Sequence, residues 1–374
     1  MKKTKVLVMV PYLKGTGGTE TVIKNLNTSY LQSSNREAYE LKLISFGGTK
    51  EKHWLANWNK VIYSFSDIRL FQMMLYVLAM PWLCLKTILA EKPDVVICTN
   101  PFIWQIAYFF RELTHVNFKI YAWYHYSIMQ KHLKHAALQR CDHFLAISHG
   151  IARQLMNLGV DEDKITVLTN PVVICSNVKL VRRSERDGNR NHKTRFLYIG
   201  RIDFDGQKNV QELFNALAYV HGVWKLDLFG TCSKKDKEAL MKIAKKNGFA
   251  DNVVFRGYTS NVWERIHNAD ALILTSKFEG FPMILCEAIS HGIFAVSSDC
   301  ETGPSDIIQR ENGLLYKPGD VPELAKILTD ITLQKLCLPS EAAIVQTITK
   351  FNLENFIRAF ERSVVFRSNR EFNF

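Results

Sequence analysis

Two glutamates eight positions apart, Glu279 and Glu287, enclose the run Gly280-Phe281-Pro282-Met283-Ile284-Leu285-Cys286. The segment before them, Asp270 to Thr275, has the composition of a strand, and Pro282 suits the first turn of a following helix. At that helix start the amides of Met283, Ile284 and Leu285 would lack intrahelical partners and point at an anion. Glu279 falls on the loop and Glu287 about one turn into the helix, so the carboxylates would flank the anion. Like charge keeps them off phosphate itself; hydroxyls of a sugar or ribose suit them better.

Candidate cations come earlier. Gly200-Arg201 follows the strand-like run Arg195–Ile199, and Lys208 lies seven residues beyond Arg201. On the loop after a first parallel strand they stand where open α/β sheets bind ligands, and both side chains grip phosphate. Asp203-Phe204-Asp205 lies between them with the spacing of a metal-binding pair. The adjacent cations already supply the charge a metal would bring, so no metal is assigned. Gly15-Thr16-Gly17-Gly18 precedes a helix carrying Val22, Ile23 and Leu26. Glycines there let backbone amides approach an anion, and the pattern is neither a dinucleotide fingerprint nor a P-loop. From residues alone, His125 in Trp123-Tyr124-His125-Tyr126 is a polar residue at a strand end. His132 and His135 share helical spacing but have no third ligand, so they too are assigned no metal.

The elements that must position these groups alternate. Strand-like runs are Lys5–Val10, Glu40–Phe46, Asp94–Cys98, Phe118–Trp123, His143–Ile147 and Ile165–Leu168 in the first half. In the second they are Arg195–Ile199, Trp224–Phe229, Asn252–Phe255, Asp270–Thr275 and Ile293–Ser297. Amphipathic helices separate them. Val210, Leu213, Phe214 and Leu217 follow helical spacing, with Asn209 and Glu212 placed as a capping box, and Ser148 is placed to cap a helix ended by Gly159. The alternation predicts an α/β protein of two doubly wound parallel sheets. Residues 1–175 form the first domain, the polar stretch 176–194 a linker or exposed loop, and 195–350 the second domain. The helical stretch 351–374 is expected to pack back on the first.

With these motifs in view, the chain resembles the retaining family 4 glycosyltransferases of GT-B fold. It is most similar to the lipopolysaccharide-core galactosyltransferases, through SKFEGFPMILCEAISHGIFAVSSDCETGP, YIGRIDFDGQKN and HFLAISHGI. The resemblance spans residues 5–320 and is looser in the first half. It implies two Rossmann-like domains with a cleft between them and a metal-independent, retaining transfer of a hexose, galactose or glucose, from a UDP-sugar. No cofactor is implied, because the donor is a substrate. The resemblance assigns Arg201 and Lys208 to the diphosphate, Glu279 to the donor sugar, Glu287 to the ribose and His125 to the donor sugar. Gly17 and Gly18 would approach the donor, and the backbone near Arg256 would hold the base. Phe281, Pro282, Met283, Ile284 and Leu285 complete the donor-binding set. The implied acceptor is a glycan or lipid-linked glycan. A nucleotide-sugar epimerase and a non-catalytic basic membrane-binding protein are the rival readings.

Composition sets the frame. The chain has 374 residues, 47% hydrophobic and 22% charged, which excludes disorder and suits two cores. Eight cysteines without a C-x-x-C spacing argue for a reducing compartment. The net charge of +12 is concentrated: residues 1–175 carry +8, 176–195 carry +5 and 196–374 carry −1. Such a basic half fits an anionic membrane surface or acidic acceptor, and no nucleic-acid motif accompanies it. The short apolar run Val6–Val10 is expected to be a strand rather than a secretory signal. Leu70–Leu85 is too short to span a bilayer and is expected to be a buried or interfacial helix. The expected location is cytoplasmic, peripheral on the inner membrane face.

Overall fold

The computed structural model describes residues 3–15, 17–64, 69–128, 133–174, 180–183 and 193–367. They form two units, Met1–Val172 with Phe351–Phe374, and Val173–Lys350.

The first unit holds a sheet of seven parallel strands. These are β1 (Thr4–Val10), β2 (Tyr39–Phe46), β3 (Lys60–Tyr63), β4 (Val95–Cys98), β5 (Lys119–Ala122), β6 (His143–Ala146) and β7 (Ile165–Val167), in the order β3-β2-β1-β4-β5-β6-β7. The second unit holds six: β8 (Thr194–Ile199), β9 (Trp224–Phe229), β10 (Val253–Gly257), β11 (Ala271–Leu274), β12 (Phe294–Ser298) and β13 (Gly313–Tyr316), in the order β10-β9-β8-β11-β12-β13. Every residue of β4, β6 and β11 is buried, as expected for strands covered by helices on both faces. Both sheets reverse direction of growth once, between β1 and β4 and between β8 and β11. Crevices at the carboxyl ends of such neighbours are where open α/β sheets hold ligands.

Two strands escaped the sequence reading. β3 and β13 are short edge strands, and an edge strand carries too little buried apolar sequence to stand out. The capping box expected at Asn209 is absent. Asn209 adopts a left-handed conformation (φ 49°) and makes no side-chain capping bond; its side-chain amide donates to Glu212 Oε2 at 2.5 Å, while Glu212 Oε1 accepts from Gly319 N at 3.2 Å. Ser148 does cap its helix, accepting from Ile151 N at 3.2 Å.

The apolar segment after residue 69 forms one helix, Arg69–Glu91, running through Pro81. Met80, Cys84 and Ile88 face the core, while Leu75, Val77, Leu78, Trp82 and Leu89 are exposed. It packs against the helix Pro101–Thr114, which exposes Phe109 and Leu113. Among the described residues no helix is long and apolar enough to cross a membrane.

Part of the polar stretch 176–194 is packed rather than free. Val181 is buried and its amide bonds His291 O at 3.0 Å, and Arg183 donates to Leu338 O at 3.2 Å. Composition hid this, because one valine and the stem of an arginine are enough to anchor four residues.

The C-terminal segment belongs to the first unit. Val172 N donates to Phe351 O at 2.8 Å, and Phe356 of the helix Leu353–Phe360 lies parallel to Trp123 at 6.4 Å. One turn later Glu361, fully buried, accepts from Asn35 Nδ2 at 2.6 Å, from Tyr39 Oη at 3.2 Å and from Ser33 Oγ.

Candidate active site

In the second unit the loop after β8 and the loop after β11 are sewn together. Lys277 N donates to Gln207 O at 2.8 Å, Gln207 Nε2 to Phe278 O at 3.0 Å, and Thr275 Oγ1 to Lys208 O at 2.9 Å. This stitching brings Lys208 Nζ within 2.6 Å of Glu279 Oε1, with both side chains largely buried. A buried ammonium and carboxylate must satisfy each other, which fixes both at the reversal point between β8 and β11. Arg201 stays exposed on the same loop, its guanidinium 3.2 Å from Asp203 Oδ2 and 3.3 Å from Gln207 Oε1. Asp203 also accepts from the amides of Lys208 and Asn209 at 3.0 Å each. Its carboxylate therefore shapes the loop that aims the two cations.

Thr302 and Gly303 brace the turn that carries Glu279. Thr302 Oγ1 donates to Glu279 O, and Gly303 packs so close that a Cβ there would lie 2.6 Å from Pro282 Cδ. Its φ of 97° also favours glycine. The helix Met283–Ser290 follows, with Pro282 as its N-cap rather than in its first turn. Of the three amides expected to point at an anion, that of Leu285 is already taken. The amide of Leu285 donates to Pro282 O at 3.0 Å, because the first turn tightens to i→i+3 bonding. The amides of Met283 and Ile284 are left as the donors at the helix start. The side chains of Phe281, Met283 and Leu285 are buried in the core, so at this turn only the backbone amides of Met283 and Ile284 are left to offer.

Glu287 lies on that helix, and burial pushes its carboxyl above the usual range. Trp263 Nε1 donates to its Oε2 at 3.3 Å. Arg256, on β10, is paired with Asp227 Oδ1 at 2.7 Å across to β9.

In the first unit the glycine loop, which follows β1, caps the helix Gly18–Gln32 through Gly17. The buried Glu20 in its first turn accepts from Gly15 N at 2.8 Å. This overturns the reading of the loop as an anion cradle. The protein's own carboxylate already occupies the positive end of the helix, so a phosphate would be repelled while a hydroxyl could bond it. The loop after β5 reaches the same place: Tyr126 hydrogen-bonds Thr19. His125 is buried beside Trp123, ring centroids 4.6 Å apart, and neither ring nitrogen has a hydrogen-bond partner. Burial pushes the imidazole down to about 3, so it is neutral at ordinary pH. Two orphaned buried nitrogens at a strand's carboxyl end point to a ligand group that completes them.

A cavity of about 440 Å³ opens beside this loop. It is lined by Asn100, Phe102 and Gln105 at the start of the helix Pro101–Thr114, by Tyr124, and by Lys134. His132 lies outside the described residues, and among those described no group of three or more metal-ligating side chains exists.

Residues 182–350 match the family model "Glycosyl transferases group 1", and residues 16–174 match "Glycosyltransferase Family 4". The lipopolysaccharide 1,6-galactosyltransferase of Escherichia coli (strain K12) is 35% identical over 332 residues, 87% of this chain and 88% of that one. The chain belongs to glycosyltransferase family 4. The lipopolysaccharide 1,6-galactosyltransferase of Salmonella typhimurium is 36% identical over 327 residues, covering 85% of this chain and 87% of that one. The solved apo form of the lipopolysaccharide outer core galactosyltransferase WaaB superposes with a TM-score of 0.81 at 33% identity, over 96% of this chain and 98% of that one. Anabaena HepE, solved with UDP, has the same fold at 16% identity and a TM-score of 0.74, over 96% and 98% of the two chains. As a family 4 member this GT-B protein is a retaining hexosyltransferase.

Trp263, Gln207, Asp203, Thr302 and Glu20 were not among the residues sequence reasoning assigned to the site. Only Asp203 gave a signal, and it resembled a metal motif.

Proposed function

We propose that the chain transfers a hexose, galactose or glucose, from a UDP-sugar to a hydroxyl of a lipopolysaccharide core, with retention at the anomeric carbon. The carrying observation is the buried Lys208–Glu279 pair, held at a sheet reversal point beside the exposed Arg201. Galactose and the lipopolysaccharide acceptor are supported by the names of the two lipopolysaccharide relatives, and UDP by the UDP-bound fold neighbour.

As the glycosidic bond breaks, negative charge grows on the departing diphosphate. Arg201, Lys208 and the amides of Met283 and Ile284 would meet it, each such contact worth roughly 2–4 kcal/mol in the transition state. Lys208 then serves two anions, the diphosphate and Glu279. In the second unit Glu279 accepts from hydroxyls of the hexose; in the first, the neutral His125 can both donate to and accept from a sugar hydroxyl. Gly17 and Gly18 would approach the donor, the lack of a Cβ at Gly17 letting the Glu20 carboxylate lie against the loop. Glu287 takes the ribose, and the backbone around Arg256 takes the base. The diphosphate itself removes the acceptor proton as the new bond forms on the face the leaving group vacates, so the configuration is kept.

The acceptor glycan fits the cavity bordered by Tyr124, Phe102, Asn100, Gln105 and Lys134, whose aromatic faces, amides and ammonium suit sugars and their charged substituents. A lipid-linked acceptor would bring the enzyme to the inner-leaflet surface from the cytoplasmic side. The exposed Leu78 and Trp82 and the basic first half of the chain support that placement.

The decisive assay follows transfer of labelled hexose from UDP to lipopolysaccharide core. Arg201→Ala should lower kcat by about 10²–10³-fold. Near-normal turnover would remove the diphosphate role, and with it the reading.

A further inference from the structure

We propose that Trp263 is a positioning residue: it holds Glu287 ready for the ribose of the donor and so sets selectivity for ribonucleotide over 2′-deoxyribonucleotide sugars. This rests on the reading of Glu287 as the ribose ligand.

Trp263 stands on the short turn Val262–Arg265, just beyond β10, while Glu287 stands on the helix Met283–Ser290. Two contacts join them. The indole N–H donates to Glu287 Oε2 at 3.3 Å, and the indole ring stacks on His291 at 4.4 Å with 20° between planes. His291 lies four residues after Glu287, so the ring covers one row of the helix surface and meets the carboxylate at its edge. The N–H thus approaches from a direction fixed by stacking as well as by its short backbone turn. Tryptophan has a single donor, so it can engage one carboxylate oxygen and leaves the other to accept from a ribose hydroxyl.

Glu287 Oε2 is taken by Trp263, while Oε1 has no hydrogen-bond donor among the described residues. The carboxylate is thereby oriented before any donor arrives. A glutamate held in one rotamer does not lose rotamer freedom when it binds, which is the basis of preorganised affinity. A desolvated carboxylate aimed at a hydroxyl also penalises a ligand that lacks it, because the acceptor is then left unpaired. A loosely held glutamate would swing to solvent and tolerate the deoxy analogue.

The test compares wild type with Trp263→Phe, which keeps a ring for His291 and removes the N–H. Calorimetric binding of UDP and of 2′-deoxy-UDP is measured alongside the donor KM and kcat. Wild type should prefer UDP. In W263F the UDP Kd should rise about tenfold while the 2′-deoxy-UDP Kd hardly moves, so that the preference collapses. Donor KM should rise more than kcat falls. Equal weakening of both nucleotides, or an unchanged preference, overturns the role of Trp263 and leaves Glu287 untouched. If wild type itself does not distinguish the two nucleotides, or Glu287→Gln keeps the distinction, the ribose reading fails and the proposal falls with it.

Discussion

At the scale of residues, the site is built from groups that would be costly alone. Lys208 and Glu279 are each buried well enough that removing one leaves the other without compensation. His125 differs, since burial is compensated by loss of charge rather than by a partner. Its folded value of about 3 lies below the unfolded value of about 6.5. The unfolded chain therefore binds the extra proton first. Stability from the neutral ring is complete above about pH 6.5 and declines as pH falls towards the folded value, by about 1.4 kcal/mol per unit for this one group. His125→Phe should flatten that part of the acid-side stability curve, measured by urea unfolding between about pH 4.5 and 6.5, while losing hexose transfer. A curve as steep as wild type would show that His125 is not buried neutral. Sequence alone could name this histidine through resemblance. It could not show two unpartnered nitrogens, since burial is a property of what surrounds the ring.

At the scale of elements, the strand–loop–helix units were legible because their signals are local. The loop after β11 and the start of the next helix occupy consecutive residues, so the turn and the glutamate spacing could be read directly. The helix Arg69–Glu91 was only partly legible. Its apolar residues were evident, but which of them are exposed depends on the neighbouring helix Pro101–Thr114. Leu78 and Trp82 are 72% and 66% exposed, far too much for a core face. If they enter an anionic lipid surface, the double variant Leu78→Glu, Trp82→Glu should pellet poorly with phosphatidylglycerol vesicles at low salt. Its melting temperature and its transfer to delipidated core oligosaccharide should stay at wild-type values. Full co-sedimentation of the variant would exclude this face as the membrane contact.

At the scale of the whole molecule, the chain leaves its first unit at Val172 and returns at Phe351. The return is secured by Glu361 on Ser33, Asn35 and Tyr39 and by Phe356 beside Trp123. Burial and the neighbouring Glu361 raise the Tyr39 phenol, so it remains a donor to that carboxylate. Glu361→Ala leaves three polar groups without their acceptor and should destabilise the first unit by about 2–4 kcal/mol. The expected signature is an early unfolding transition by calorimetry, with the second unit's transition and its UDP binding retained. A single unshifted transition would mean the return is held by Phe356 and Phe360 alone.

Sequence by itself determined the alternation of strands and helices, the two-sheet plan and the helix start at Met283, because each depends on residues within a few positions of one another. The tertiary structure alone decided what depends on distant partners. Lys208 meets Glu279 across 71 positions, Trp263 meets Glu287 across 24, and Glu361 reaches Asn35 across 326. It also decided that Glu20 fills the glycine loop and that Leu285 has no amide to offer. Periodicity encodes which face of an element is buried, but not which other element will cover it. Side-chain pairing is settled only when loops from different strands are brought to the same edge of a sheet.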